Sequence, residues 1–229
     1  MKKSKLSVIV VFFIAALLIL TGCEVTDLVA KVAVTSFDSL VKEVPDKVAF
    51  DDKKDGWAIS GLDDKERAIL SRDFSGGTPD IAVEFNAAPF IEAGLDVAKL
   101  PGDQYMYDES TGDITMPYEY GGDKFGAGAG KSALDLFKQI VKTHRSIIGY
   151  HEEGDHYKID LGRGNLFGWA KDVSTNKADL VFVLNPKPLV DAGVDAAKIK
   201  EWIFTKLPVT DKDGKPAQVE VFMKAFNIG

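Results

Sequence analysis

Between residues 25 and 44, apolar side chains fall at Val25, Leu28, Val29, Val32, Phe37, Leu40, Val41 and Val44. Three- and four-residue spacing of this kind predicts an amphipathic helix with one buried stripe. A second stripe at Leu134, Phe137, Ile140 and Val141 predicts another helix, with Ser132 as its N-cap and Asp135 as the capping partner. After each helix the pattern changes to short apolar runs. They lie near 47–50, 57–61, 67–73 and 81–85, and again near 147–150, 157–161, 166–171 and 180–184, and they predict strands. Each series closes with a hairpin, over 104–120 and 202–226, turning at Ser110-Thr-Gly-Asp113 and Asp211-Lys-Asp-Gly214.

The two series align. Residues 81–99 match residues 180–198 at seven of nineteen positions, including Asn86/Asn185, Pro89/Pro188, Gly94/Gly193 and Asp96/Asp195. Upstream, Phe37/Phe137, Val41/Val141, Trp57/Tyr157 and Ile59/Ile159 continue the match. Backbone geometry accounts for the shared residues. Asn ends a strand, and Pro opens a short helix where its missing N–H costs least. Gly stops that helix by accepting positive φ, and Asp caps one further turn. The expectation is an α+β fold, a tandem duplication of a roughly 100-residue unit with helices packed on a mostly antiparallel sheet about a pseudo-twofold axis. The units are 23–125, with the N-terminal amphipathic helix, and 131–229, joined by a Gly/Ala linker at 126–130.

The N-terminus reads as an address. Lys2, Lys3 and Lys5 precede an unbroken apolar run over residues 8–20, followed by Leu20-Thr21-Gly22-Cys23. The run is short for a membrane span and right for a signal-peptide core. Residues 1–23 resemble a bacterial lipoprotein precursor: a branched apolar residue and two small ones precede the single cysteine of the chain, as in a lipobox. The resemblance implies removal of a signal peptide, 1–22, and acylation of Cys23. The protein would then be extracytoplasmic and membrane-anchored, at a plasma or an outer membrane.

Composition narrows the partners. Without residues 1–22 the chain keeps 25 basic side chains against 35 acidic ones, so a nucleic-acid partner is not expected and lipid must hold the body near an anionic bilayer. One cysteine excludes a disulfide framework. His151, Glu152, Asp155 and His156, around a predicted hairpin loop, form a candidate divalent-metal site, with Glu153 nearby. His144 is read as a partner of a helix C-terminus. Tyr105 and Tyr107, like Tyr118 and Tyr120, alternate so that each pair shares a strand face, and an open face of this kind could stack on a ligand.

Two motif-like stretches are explained more simply. Gly126-Ala-Gly-Ala-Gly-Lys-Ser132 has Phe125 where a phosphate loop needs glycine, and reads as a linker ending in a helix cap. Residues 209–220 place Asp211, Asp213, Gly214 and Glu220 at calcium-loop spacing but start with Val209 where a carboxylate belongs, and read as a hairpin turn. No nucleophile elbow is present, so no catalytic residue is assigned. The leading expectation is a lipid-anchored binding or interaction module of the cell envelope, with no cofactor beyond the lipid and an envelope protein, polymer or small ligand as partner. The alternatives are a structural envelope lipoprotein without a ligand and a metal-dependent or carboxylate-using hydrolase.

Overall fold

The computed structural model describes residues 23–72, 79–120, 132–151, 155–173, 177–210 and 215–228. Helix α1 (Cys23–Glu43) leads into β1 (Val48–Asp51), β2 (Gly56–Ser60), β3 (Arg67–Ser71) and β4 (Ile81–Asn86). The short helix α2 (Ala88–Glu92) follows, then β5 (Met106–Asp108) and β6 (Asp113–Tyr118). The second half runs α3 (Ala133–Thr143), β7 (Ile148–His151), β8 (His156–Gly162), β9 (Asn165–Ala170), β10 (Leu180–Leu184), α4 (Pro186–Asp191), β11 (Ile203–Thr210) and β12 (Pro216–Phe226). The fold is α+β, with two six-stranded antiparallel sheets.

The sheets share one strand order. The first runs β1-β2-β3-β4-β6-β5 and the second β7-β8-β9-β10-β12-β11. Register agrees as well: Val48 faces Ile59 as Ile148 faces Ile159, and Ile81 faces Tyr118 as Leu180 faces Phe226. The closing hairpins differ in length. β5 and β6 pair over three positions, β11 and β12 over eight.

Local chemistry places the connections as the sequence predicts. Asn185 Oδ1 accepts from Lys187 N at 3.0 Å as the N-cap of α4, and Asn86 Oδ1 accepts from Ala88 N, the first residue of α2, at 2.9 Å from one position before the N-cap Ala87. Gly94 and Gly193, at φ +108° and +110°, end those helices. Asp96 and Asp195 then cap a further turn through Ala98 N and Ala197 N.

The two halves meet at these turns. Asp96 N donates to Ala192 O at 2.9 Å, and Asp195 N donates to Ala93 O at 2.8 Å, a reciprocal pair of backbone bonds. A Cβ on Gly94 would lie 2.8 Å from Gly193 O, and one on Gly193 would lie 2.7 Å from Gly94 O. Neither position has room for a side chain.

Above this contact, Phe37 of α1 stacks on Phe137 of α3 at 4.3 Å, and Trp169 stands edge-on to both. α1 packs on β7 and β9 of the second sheet, while α3 lies against β3 of the first. Ser36 Oγ completes that crossing by donating to the carbonyls of Ala170 and Lys171. Trp202 packs against both Phe85 and Phe90, and Phe90 also meets Phe222. Lys224 reaches from β12 to the wholly buried Glu66 at 2.7 Å. One hydrophobic core therefore runs through both halves.

Gly94→Ala and Gly193→Ala are each expected to lower unfolding stability by about 2 kcal/mol or more, combining positive φ with a backbone collision. Gly112→Ala, also at positive φ but with open space around the new methyl, should cost clearly less. Urea unfolding midpoints of the three variants check this ordering.

Candidate functional site

The histidine pair forms as its spacing predicts. His151 and His156 face each other across β7 and β8, and both are buried, at 7% and 2% exposure. A cavity of about 30 Å³ lies against them, walled by Leu166, Gly168, Val183 and Leu207, which is room for one water-sized particle. His156 Nε2 lies 2.6 Å from the carbonyl of Ala178 and donates to it, so this nitrogen is taken up. Asp155 is engaged elsewhere. Its carboxylate accepts from the Tyr150 hydroxyl and pairs with Lys177 at 3.5 Å, and the Tyr150 hydrogen bond holds it below the usual carboxylate range. Glu152 and Glu153 lie outside the described residues, among which no cluster of three or more His, Cys, Asp or Glu side chains suited to a metal occurs.

The four tyrosines line a closed face. Tyr105 and Tyr118 are buried in the shared core. Burial pushes the Tyr105 hydroxyl up to about 12 and raises that of Tyr118 further. Tyr107 and Tyr120 are half-buried against the same core. The Tyr120 hydroxyl donates to the Asp160 carbonyl at 3.2 Å, and its ring leans on His144, which caps the C-terminus of α3. Cys23 is the first residue of α1.

Ser132 Oγ caps α3 by accepting from Asp135 N at 3.2 Å; the linker 126–130 lies outside the described residues. Asp211, Asp213 and Gly214 also lie outside them. Glu220 stands on β12 and pairs across the hairpin with Lys206 at 3.5 Å.

A different cluster, not singled out by motif, occupies the outer face of the first sheet. Arg67 and Glu84 are cross-strand neighbours on β3 and β4, joined through both Arg67 Nε and Nη2 to Glu84 Oε1. Arg67 Nη1 also binds Asp51 Oδ2 at 2.8 Å, and Lys54 Nζ binds Glu84 Oε2 at 2.8 Å. Thr115 Oγ1 donates to the same carboxylate at 3.2 Å. The result is a row of alternating charge, Asp51, Arg67, Glu84 and Lys54.

Burial on its own would lift the Glu84 carboxyl, but hydrogen bonds and charge from Lys54 and Arg67 outweigh it and hold the group below its ordinary value. Asp51 follows the same logic: burial is opposed by the Lys54 N–H and by Arg67, and its carboxyl is also held down. Carboxylates held ionised in this way suit recognition better than proton transfer near neutral pH. Beside the row opens a cleft of about 280 Å³. Ile69, Ala82, Met106 and Pro117 form its apolar walls, and Lys54, Asp55, Ser71 and Thr115 its polar lining.

The second sheet answers three of these positions with apolar residues and the fourth with a histidine. Its register sets Leu166 and Val183 where the first sheet has Arg67 and Glu84, Met223 where it has Thr115, and His151 where it has Asp51. Val181, Val183, Leu207, Val221 and Met223 form a small second core there. The long β11 supplies Leu207 to that core. β5, three residues long, leaves the first sheet's face open at Met106. The available signal was Glu84 inside the apolar run of β4, against Val183 in the aligned run of β10.

Comparisons with protein-family models, with curated proteins and with solved structures find no match for this chain.

Since the folded values of Glu84 and Asp51 lie below their unfolded ones, their contribution is present above the unfolded carboxylate range and is lost as pH falls through the folded values. Arg67→Leu leaves Glu84 buried beside fewer partners. It should cost about 3 kcal/mol near neutral pH and move acid unfolding to higher pH. Adding Glu84→Val, which copies the pair on the second sheet, should recover most of that loss. Urea titrations across a pH series measure both effects.

Proposed function

We propose that this chain is a lipid-anchored extracytoplasmic binding module of the bacterial cell envelope, and that the outer face of its first sheet is the ligand site. The anchor reading rests on the basic start, the short apolar run and the lone cysteine of residues 1–23.

We further propose that the body is a tandem duplication of a roughly 100-residue unit closed about a pseudo-twofold axis. Support comes from the common strand order, the matched register and the reciprocal bonds between the turns that end α2 and α4.

One observation carries the ligand reading: equivalent faces of the two sheets have opposite character. One is sealed by its own apolar cluster, and the other keeps an ion row centred on the buried Glu84 beside an open cleft. A cleft of this size with apolar walls and an ammonium in its polar lining takes a small ligand with an apolar body and a hydrogen-bond-accepting head. A purely structural envelope role is the second reading. It is favoured by the junction between the halves, where Phe37, Phe137, Trp169 and Trp202 are buried.

Native mass spectrometry of the protein extracted from its host's membranes, compared with the denatured sample, tests the proposal. The expected result is acyl mass on Cys23, lost in Cys23→Ser, and an organic mass present only in the native spectrum. That organic mass should be lost when Ala82→Trp fills the cleft and weakened by Lys54→Met. The acylated chain alone in both spectra would overturn the ligand site in favour of the structural role, and an unmodified Cys23 would overturn the anchor.

A further inference from the structure

The reach of the anchor is set by α1. The helix is continuous from Cys23 to Glu43, and from Asp27 on, where exposure is described, its first wholly covered residue is Ala30, at 2%. Ala33, Phe37 and Leu40, further along the same stripe, are at 0%. Ser36 is held by two carbonyls of the second half. Only the seven residues 23–29 therefore separate the proposed acylated position from the packed body. At 1.5 Å per helical residue they span about 10 Å, while the polar headgroup layer is itself about 5–8 Å deep. No flexible tether intervenes.

What flanks these first turns must therefore meet the bilayer. Leu28, five residues beyond Cys23, is 63% exposed, the most exposed large apolar side chain among the described residues. Arg145 pairs with Asp27 and belongs to the turn 145–147, which packs on α1 and begins where α3 ends. The surface next to the anchor thus combines an uncovered leucine, a basic side chain and the end of a second helix. An apolar residue at headgroup depth with an arginine beside it is the composition of an interfacial contact.

We infer that the N-terminal end of α1 and the adjoining turn 145–147 form a membrane-contacting surface, with Leu28 at headgroup depth, so that the body stands on the bilayer in one fixed orientation. This inference rests on the proposed acylation of Cys23. It goes further by naming the face that meets the lipid and by excluding a protein that swings freely on a leash. Partners would have to come to the membrane surface, since the body has no reach away from it.

The test uses full-length protein matured in its host, purified and placed in vesicles of phosphatidylethanolamine and phosphatidylglycerol that carry a nitroxide-labelled lipid. Thioether formation consumes the only native thiol, so Leu28→Cys or Ser146→Cys offers a unique site for an environment-sensitive fluorophore. The nitroxide lipid should cut emission roughly two-fold at both positions, as for a group within the headgroup boundary. Inserting a Gly/Ser linker of about ten residues after Glu24 should relieve that quenching, because such a chain restores free movement. Acyl mass on Cys23 without quenching at either position would overturn the inference and leave the anchor standing. Absence of acyl mass on Cys23 would remove the anchor reading, and the inference with it.

Discussion

Two glycines facing each other, Gly94 and Gly193, set the distance at which the halves of this molecule close. Each ends a short helix at positive φ, and each stands where a β-carbon would strike the other's carbonyl oxygen. The approach lets Asp96 and Asp195 donate their backbone N–H groups to carbonyls of the opposite half, so polar groups at two helix ends are satisfied across the junction rather than by water. A wider separation would break both bonds together. It would also part the Phe37 and Phe137 rings, whose stack depends on α1 and α3 lying side by side.

The helices make that closure hard to reverse. α1 packs on strands of the second sheet and α3 on a strand of the first, so neither half carries its own lid. Separating them would expose Phe37, Phe90, Phe137 and Trp202 at once, each a large side chain whose loss from a core costs about 3–5 kcal/mol. The consequence reaches the N-terminus. A helix whose middle is buried at 0% exposure in the shared core cannot bend away from it, so the proposed anchor at Cys23 would also hold the body.

Most elements were legible along the chain, because their causes are local. The stripe from Leu28 to Val44, the Asn, Pro, Gly and Asp that punctuate both connections, and the period-two runs all appear within a residue or two of their expected places. What the chain left open is decided at long range. Alternation puts Tyr105 with Tyr107 and Tyr118 with Tyr120, but whether that face is open depends on the other half, which closes it. The histidines face each other as their hairpin spacing requires, yet the Ala178 carbonyl that takes up one ring nitrogen comes from another part of the chain. The ion row was hidden for the same reason. Asp51, Lys54, Arg67, Glu84 and Thr115 are scattered over 65 positions and come together only once β1, β3, β4 and β6 are aligned. Glu84 inside a strand of apolar residues was the one local sign.

The contrast between the two outer faces is hard to attribute to stability. A buried salt bridge and a well-packed apolar pair of similar volume are often near equal in net contribution, because desolvation offsets much of the Coulombic gain. Here both solutions stand at matching register positions of one molecule, Arg67 with Glu84 and Leu166 with Val183. The apolar solution is accompanied by a long strand that seals its face, and the charged one by a strand of three residues that leaves the face open. If packing were the only requirement, the apolar arrangement with its longer hairpin would serve both sheets. A fixed row of charges beside an uncovered apolar wall costs desolvation and leaves Met106 in water, and those costs have a physical return when something else occupies the cleft.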